Sequence, residues 1–281
     1  MGKIHRKIRT QYLWSITLCI AVFLLNGCSA IQKISDLPEI KNEIQSQTEK
    51  LTEKDLFTPK TTDEKREDEE IASLLLKVPK YSDEPYAAID NDTPGFSMTE
   101  IAQAKDAAFI SISPLDDMGR CSTAEICFKK SDMPSGPRGE IGDIKPTGWK
   151  QAKYDMAATG TDSPYLYNRC HLLAYMFSGL NADKRNLITG TRYMNTEGML
   201  YPVEAVIADY VEENPDTHVL YRVTPDFHGD NLLASGVLME AVSVEDNGAS
   251  LSLCRYAYNI EPGVTIDYSD GSSTGPEYKG Q

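Results

Sequence analysis

Three segments near the C-terminus constrain the fold most, because each alternates apolar and polar residues and is rich in β-branched and aromatic side chains. They are HVLYRVTPDF, NLLASGVLMEAVSV and SLSLCRYAYNI. Alternation with period two is typical of strands, and the Gly, Asp and Asn residues between the segments are typical of turns. We therefore predict an antiparallel sheet. Together with the helices and short strands predicted upstream, it places the chain in the α+β class.

The first 28 residues have the pattern of a targeting segment. A basic stretch precedes an apolar run from Tyr12 to Leu25, which is short for a membrane span. The sequence that follows, Leu-Asn-Gly-Cys, resembles a lipobox and predicts Cys28 as a lipid-anchored first residue of the mature protein. An uncleaved N-terminal membrane anchor is the alternative. Both interpretations attach the chain to a membrane and predict that the remainder is extracytoplasmic, at the cell surface.

Two regions follow this segment. Residues 29–80 are polar and charged, which predicts a flexible tether. Within it, a short amphipathic pattern around Asp68 to Val78 indicates a helix that either docks on the domain or stays solvated. Residues 81–281 are the predicted folded domain.

Four cysteines fall in that domain: Cys121, Cys127, Cys170 and Cys254. An extracytoplasmic location allows disulfides to persist, and four cysteines allow three pairings. A zinc site is the competing interpretation, but the spacing of Cys121 and Cys127 is loose for one and no histidine accompanies them. Disulfides or free thiols are therefore favoured over zinc, and the pairing stays open.

The stretch from Tyr165 to Glu204 holds the densest set of groups able to act on a phosphodiester. His171 can accept a proton, and Asn186 and Asn195 offer neutral oxygens to a hard cation. Mg²⁺ often takes only one or two protein oxygens, so one amide ligand beside a histidine base is enough for metal-assisted hydrolysis. The basic side chains that can meet phosphate in this stretch are Arg169, Lys184, Arg185 and Arg192.

His171 is the histidine most suited to catalysis. The segment SPYLYNRCHLLAYMF reads as a strand, so Arg169 and His171 point to the same face and Cys170 points into the domain. A lone histidine is more often structural, but here a basic loop and two spaced asparagines follow it. His5 lies in the targeting segment, and the two remaining histidines lie in polar surroundings without such neighbours.

The motifs NRCH and NLITGTRYMN resemble those of DNA/RNA non-specific endonucleases of the ββα-metal (His-Me finger) class. The resemblance is strongest to bacterial DNA-entry and cell-surface nucleases. Their usual signature is Asp-Arg-Gly-His followed by two asparagines nine residues apart, a spacing that Asn186 and Asn195 keep. Two positions depart from the signature, with Asn168 in place of Asp and Cys170 in place of Gly. The segment LDDMGRC, which contains Arg120, also resembles a family stretch.

The resemblance implies a ββα-metal finger packed on a central antiparallel sheet. It also implies a sugar-non-specific endonuclease that uses Mg²⁺, or Mn²⁺, and leaves 5′-phosphates on DNA and RNA. In that mechanism His171 is the general base, Asn195 binds the metal, Asn186 orients His171 or the backbone, and Arg169 contacts phosphate. Arg120 is a further candidate phosphate contact, with an exposed arginine after a turn glycine as the alternative.

The family also has a glutamate beyond the metal asparagine that steadies metal-bound water. Glu204 is a weak match, and Glu197 competes with it. Glu204 lies nine residues after Asn195, which on one straight α-helix is a rotation of about 180°. A break between Gly198 and Pro202 would be needed to bring Glu204 near the metal. Pro202 itself is predicted as the first residue of a following helix.

The net charge of −14 taken alone argues against a nucleic-acid partner, but the distribution of the charges matters more than their sum. Residues 165–195 hold four basic residues against one acidic residue, whereas residues 196–281 hold three against fifteen. A locally positive cleft on an acidic body fits a catalyst that must release its product. The alternative is that acidity only keeps a surface protein soluble.

Two other function classes fit the sequence less well. A solute-binding lipoprotein normally has a larger two-lobed α/β body, which a strand-rich domain of this size does not match. A non-catalytic surface lipoprotein that binds nucleic acid for DNA uptake would need no base, so His171 with Asn195 argues against it. The sequence points to no cognate inhibitor or uptake machinery, and it leaves open the biological role and the preference for DNA or RNA.

Overall fold

The computed structural model describes residues 62–155 and 163–278. The predicted targeting segment, Cys28 and the tether up to residue 61 lie outside the described residues. In the described part, no helix combines the length and apolar character that crossing a membrane requires.

The centre of the domain is a six-stranded antiparallel sheet with the order β1-β8-β7-β6-β3-β2. The three predicted C-terminal strands form its middle, which confirms the α+β prediction. The strands are β1 (Tyr86–Ala88), β2 (Phe109–Ile112), β3 (Ala124–Phe128), β6 (Val219–Asp226), β7 (Gly236–Ser243) and β8 (Ser252–Tyr258).

A ββα finger packs on one face of this sheet, as the sequence predicted. Strands β4 (Tyr167–His171) and β5 (Leu187–Thr191) form a hairpin in which His171 pairs with Leu187. The helix that follows is π-helical over Met194–Glu204 and continues as α4 (Ala205–Glu213). Pro202 lies inside this continuous helix, so the prediction that it begins a new one is wrong. A wider π turn, rather than a break, accommodates it.

Helices cover the opposite face of the sheet. They are α1 (Thr62–Leu75) and α2 (Met98–Ala104), while the short α3 (Tyr175–Ser178) belongs to the finger. Alternate residues of each central strand face the two layers: Tyr221 packs in the core shared with the finger, and Leu220 packs with Ile101 of α2. The alternation in the sequence therefore marks two buried faces rather than one buried and one solvated face.

The polar positions of that alternation form a buried ion cluster around Arg222. Its guanidinium is fully buried and contacts four carboxylates, which belong to Glu67 of α1, Glu100 of α2, Glu125 of β3 and Glu240 of β7. The distances from guanidinium nitrogen to carboxylate oxygen are 3.0 to 3.6 Å. The cluster joins both outer helices to the sheet.

Helix α1 begins before the expected start of the domain at residue 81, yet it is part of one compact unit that starts at Thr62. Ile71 and Leu74 of α1 are buried against Leu238, Tyr256 and the neighbouring residues of the sheet. Of the two alternatives for this amphipathic segment, docking is therefore the one observed.

The chain after Tyr268 contains one more short strand. Strand β10 (Ser273–Thr274) pairs with β9 (Thr265–Ile266).

The four domain cysteines are all free thiols and all buried. The structure thus selects free thiols over the disulfides that the location had allowed.

Candidate active site

One cavity of about 530 Å³ lies where the finger meets the π-helical segment. Its lining includes His171 and Arg169 from β4 together with Asn195 and Glu204 from the helix. The period-two prediction holds, since Arg169 and His171 share this face whereas Cys170 is fully buried on the other. Four side chains that the sequence had singled out thus meet in one place.

The hydrogen bonds of His171 define its tautomer. The guanidinium of Arg138 lies 3.3 Å from Nδ1, and the carbonyl oxygen of Asn181 lies 3.0 Å from Nε2. Because arginine can only donate, Nδ1 is the acceptor and Nε2 carries the proton that it donates to Asn181. Burial lowers the pKa of His171 below its usual 6.5, and the charge of Arg138 lowers it further. The ring is therefore neutral at pH 7, with its lone pair on Nδ1.

Arg138 was missed by the sequence reasoning. It lies in a loop rich in glycine and proline, 33 residues before His171, and no periodic pattern links the two. The loop is tethered by side chains of the finger: the Tyr175 hydroxyl donates to the carbonyls of Gly136 and Pro137, and the Asn181 amide donates to that of Glu140. These bonds hold Arg138 beside His171.

Arg169 is a second anchor of the same loop. Its guanidinium donates to the carbonyl oxygens of Gly142, at 2.6 Å, and of Ile144. It also stacks over the ring of Trp149, with 4.2 Å between Cζ and the ring centroid. Arg169 therefore lines the cavity while organising the loop that carries Arg138.

Asn186 is buried and holds the backbone that follows His171. Its Oδ1 accepts a hydrogen bond from the Leu173 amide at 2.8 Å, and its Nδ2 donates to the Leu173 carbonyl at 3.0 Å. Of the two orienting roles predicted for Asn186, the structure supports the one on the backbone. Its amide oxygen is already occupied, which leaves Asn195 as the asparagine that faces the cavity.

Glu204 reaches the cavity because the helix is π-helical. A π turn holds about 4.4 residues, so nine residues rotate a side chain to within about 20° of its starting direction, instead of the 180° of an α-helix. Asn195 and Glu204 consequently lie on the same side of the helix and line the same cavity. The sequence analysis required a helix break between Gly198 and Pro202 to bring Glu204 near the metal. The described helix instead runs continuously through this region.

The carboxylate of Glu204 has no partner among the described residues. It is 8% exposed, and neither a hydrogen-bond donor nor a cation of the described chain meets it. Burial alone raises the pKa of Glu204 to about 8. Its charge in turn contributes to the raised pKa of the buried Cys170 thiol. A buried carboxylate left without compensation is costly, so this position is suited to an external cation.

Comparison with known proteins gives a family match for part of the chain. Residues 112–245, just under half of the chain, match the model of the DNA/RNA non-specific endonuclease family. This match supports a ββα-metal nuclease. A deoxyribonuclease from Streptococcus dysgalactiae subsp. equisimilis is 31% identical over 110 residues, which make up 38% of this chain and 32% of that relative. The chain thus covers about a third of the length of this curated relative.

Solved structures agree with the endonuclease fold. Magnesium-bound NucA from Streptococcus agalactiae superimposes with a TM-score of 0.60 at 21% identity, covering 74% of this chain and 94% of NucA. Zinc-bound Sda1 nuclease has a TM-score of 0.53 at 26% identity, covering 59% of this chain and 81% of Sda1.

The Cys170 departure in the endonuclease domain has a local counterpart in Gly190. A Cβ added at Gly190 would lie 2.5 Å from the sulfur of Cys170 and 2.3 Å from Cε of Met194. The thiol thus fills space that the missing side chain of Gly190 leaves open on the adjacent strand. Asn168, the other departure, lines the cavity.

The structure does not bring the other predicted phosphate contacts into the cavity lining. The guanidinium of Arg120 is committed to Asp116 at 2.7 Å, to the carbonyls of Gly229 and Asn231, and to the ring of Phe227. In the structure Arg120 is therefore an anchor between two loops, outside the cavity lining. The Asp116–Arg120 spacing of four residues was the available signal.

Three basic residues of the finger lie outside the cavity lining as well. Lys184 and Arg185 are exposed in the finger loop, where Arg185 pairs with Asp183 at 2.6 Å. Arg192 is half-buried just before the π-helical segment, and its backbone amide donates to the carbonyl oxygen of Leu166. All three residues thus lie outside the cavity lining.

Proposed function

We propose that this domain is a metal-dependent endonuclease that hydrolyses phosphodiesters of DNA and RNA and leaves 5′-phosphate ends. One observation carries the proposal: a neutral histidine whose lone pair is on Nδ1 lines the same cavity as an amide and as a carboxylate that has no partner among the described residues. The family match and the deoxyribonuclease relative favour nucleic acid as the substrate.

The donor set suits a hydrated divalent cation. Asn195 and Glu204 supply hard oxygens, and no group of three or more His, Cys, Asp or Glu side chains in residues 62–155 and 163–278 is placed to hold a metal. Mg²⁺ tolerates so few protein ligands because it keeps several waters, and Mn²⁺ is the expected substitute. When bound, the cation would neutralise charge on the phosphate and on the departing 3′ oxygen.

The chain's own residues supply proton transfer and positioning. We assign Nδ1 of His171 to remove the proton of the attacking water, while the Asn181 carbonyl holds the ring in the tautomer that keeps the lone pair on Nδ1. The guanidinium of Arg138, which donates to Nδ1 in the structure, would turn to the phosphate when substrate binds. Asn186 fixes the backbone after His171. We assign Arg169 and Arg138 to the phosphate, which guanidinium groups bind well through paired donors.

Lys184, Arg185 and Arg192 are proposed to attract flanking phosphates of a polynucleotide. They lie on the finger beside the cavity and belong to the basic stretch of an otherwise acidic chain. We further propose, from the N-terminal pattern alone, that the enzyme acts outside the cytoplasmic membrane, to which Cys28 attaches it.

The test is digestion of plasmid DNA and of RNA by the full chain, with Mg²⁺, with Mn²⁺ and with EDTA. We expect both substrates to be cut with either cation and neither with EDTA. His171→Ala should abolish cleavage and retain DNA binding, whereas His228→Ala, a change at an exposed histidine paired with Asp226, should retain activity. Cleavage by His171→Ala would refute the mechanism. A folded wild type that binds DNA without cutting it would indicate a binding protein.

A further inference from the structure

The π-helical register is what allows Asn195 and Glu204 to share one site. In an α-helix the same two residues would point in opposite directions. An extended π-helix is rare and needs support from its surroundings. The contacts that hold residues 194–204 in this register are therefore as important for the site as the ligands themselves.

Strand β8 provides that support. The guanidinium of Arg255 donates to the carbonyl oxygen of Pro202, inside the π segment. Nearby, Gly198 lets the segment approach the sheet closely, since an added Cβ would lie 3.0 Å from Cβ of Ala257 and 3.1 Å from the carbonyl oxygen of Pro85. The segment is thus fixed at two points, on either side of its middle.

Arg255 is itself held by Asp92. Nε of Arg255 lies 3.0 Å from Oδ1 and its Nη2 lies 3.1 Å from Oδ2, which is a two-point pair. Asp92 also accepts a hydrogen bond from the Cys254 amide, and its carbonyl accepts one from the Ser252 hydroxyl. The carboxylate is therefore anchored to the same strand that carries Arg255.

The backbone around Asp92 is unusual. Asp90, Asn91 and Asp92 have φ values of 49°, 57° and 59°, so three consecutive residues other than glycine are left-handed. This conformation is unfavourable for L-residues and persists only where surrounding contacts enforce it. Such enforced turns often serve a site, and here the turn aims a carboxylate at Arg255.

We propose that Arg255, oriented by Asp92, is a positioning residue that fixes the π register and thereby keeps Glu204 in the active site. Neither Asp92 nor Arg255 belongs to the cavity lining, and no hydrogen bond joins either of them to His171 in the described part of the chain. Without the donor to Pro202, residues 194–204 relax toward the α-helical register and Glu204 turns away from Asn195. The inference rests on the proposed function, because it concerns the metal-binding pair.

The test compares three variants in the full chain: Arg255→Met, Arg255→Lys and the control Arg120→Met. Arg120 is a matched control, because its guanidinium also pairs with a carboxylate, donates to backbone carbonyls and lies over an aromatic ring. None of these contacts involves the π-helical segment. The measurements are the Mn²⁺ dissociation constant by electron paramagnetic resonance, kcat and KM on DNA, and the melting temperature.

We expect Arg255→Met to weaken Mn²⁺ binding about tenfold and to lower kcat about tenfold, with KM changed less than twofold. Arg255→Lys should recover part of both losses, because its ammonium still reaches toward Pro202. Arg120→Met should lower the melting temperature but leave the Mn²⁺ dissociation constant and kcat unchanged. If Arg255→Met does not fold, Asp92→Asn tests the same link with a smaller expected loss in both quantities.

Three outcomes would overturn the inference. One is a folded Arg255→Met protein with wild-type Mn²⁺ affinity and kcat. Another is an equal loss of both in Arg120→Met, which would indicate general destabilisation. The third is a crystal structure of Arg255→Met that retains the π-helical bonds across residues 194–204. Failure of the wild type to bind Mn²⁺ or to cleave nucleic acid would instead refute the proposed function, so the two failures are distinguishable.

Discussion

Replacing Arg222 with methionine should destabilise the domain by about 3–5 kcal/mol at pH 7.5, the usual cost of breaking a buried ion pair. The guanidinium is fully buried and lies 3.0 Å from Glu240, 3.2 Å from Glu100, 3.3 Å from Glu67 and 3.6 Å from Glu125. Methionine keeps the apolar stem and removes the cation. Four carboxylates then face one another with no central positive charge.

The loss should depend on pH. Burial raises the pKa of Glu125 to about 7, and it also raises the pKa of Glu67. A carboxyl group with a raised pKa in the folded state stabilises the fold below its unfolded pKa, and that contribution is lost as the pH rises through the folded value. Removing Arg222 raises these pKa values further, so the variant should lose less stability at pH 5 than at pH 7.5.

Urea denaturation at the two pH values measures both effects. Glu125→Gln is the companion variant, because it removes one negative charge and keeps the side chain's shape. We expect it to be about 1 kcal/mol more stable than the wild type at pH 7.5. A loss below 1 kcal/mol in Arg222→Met, or an equal loss at both pH values, would refute the electrostatic account of the cluster.

Three further predictions concern the finger. Cys170→Gly restores the family signature at this position. It should nevertheless lower the free energy of unfolding, measured in urea, by about 2–4 kcal/mol, because it opens a cavity beside Gly190 and loosens the strand. Cleavage activity should persist, and unchanged stability would contradict the packing of Cys170 against Gly190. In a pH–rate profile, the fall of kcat/KM toward acid pH should have its midpoint below pH 6.5, because the pKa of His171 is lowered and only the neutral ring is active. A midpoint above pH 6.5 would argue against His171 as the general base. Asn186→Ala should lower the free energy of unfolding, measured by thermal denaturation, by about 2–4 kcal/mol, since the amide and the carbonyl of Leu173 both lose their partner. A smaller loss would mean that water replaces the side-chain amide.

Local patterns in the sequence predicted much of the fold. Strands β6 to β8 follow from alternation, and the finger follows from the resemblance around His171. What the alternation did not reveal is its second buried face, because a buried Arg222 among carboxylates has the same sequence pattern as a solvated polar face. Only the docking of α1 and α2 distinguishes the two.

The site was less predictable. His171 and Asn195 meet as expected, but the relation between Asn195 and Glu204 depends on the helical register, and π-helices have no clear sequence signature. Arg138 comes from a distant loop whose position is set by tertiary hydrogen bonds. The anchoring contacts of Arg120 were not predicted, because a motif carried by resemblance does not indicate which local partner holds its side chain.

The finger hairpin is a separate two-stranded sheet, and β4 and β5 share no ladder with the six-stranded sheet. Thr189 and Thr191 tie it to the chain just after β8 through hydrogen bonds with Asn259 and Ile260, and further hydrogen bonds and packing attach the rest of the hairpin. Opening of such a unit costs less free energy than global unfolding. Amide protons of β4 and β5 should therefore exchange before those of β6 to β8. Loss of activity on storage or heating would then report hairpin opening, and mutations that only strengthen the large sheet would not prolong the working life of the enzyme.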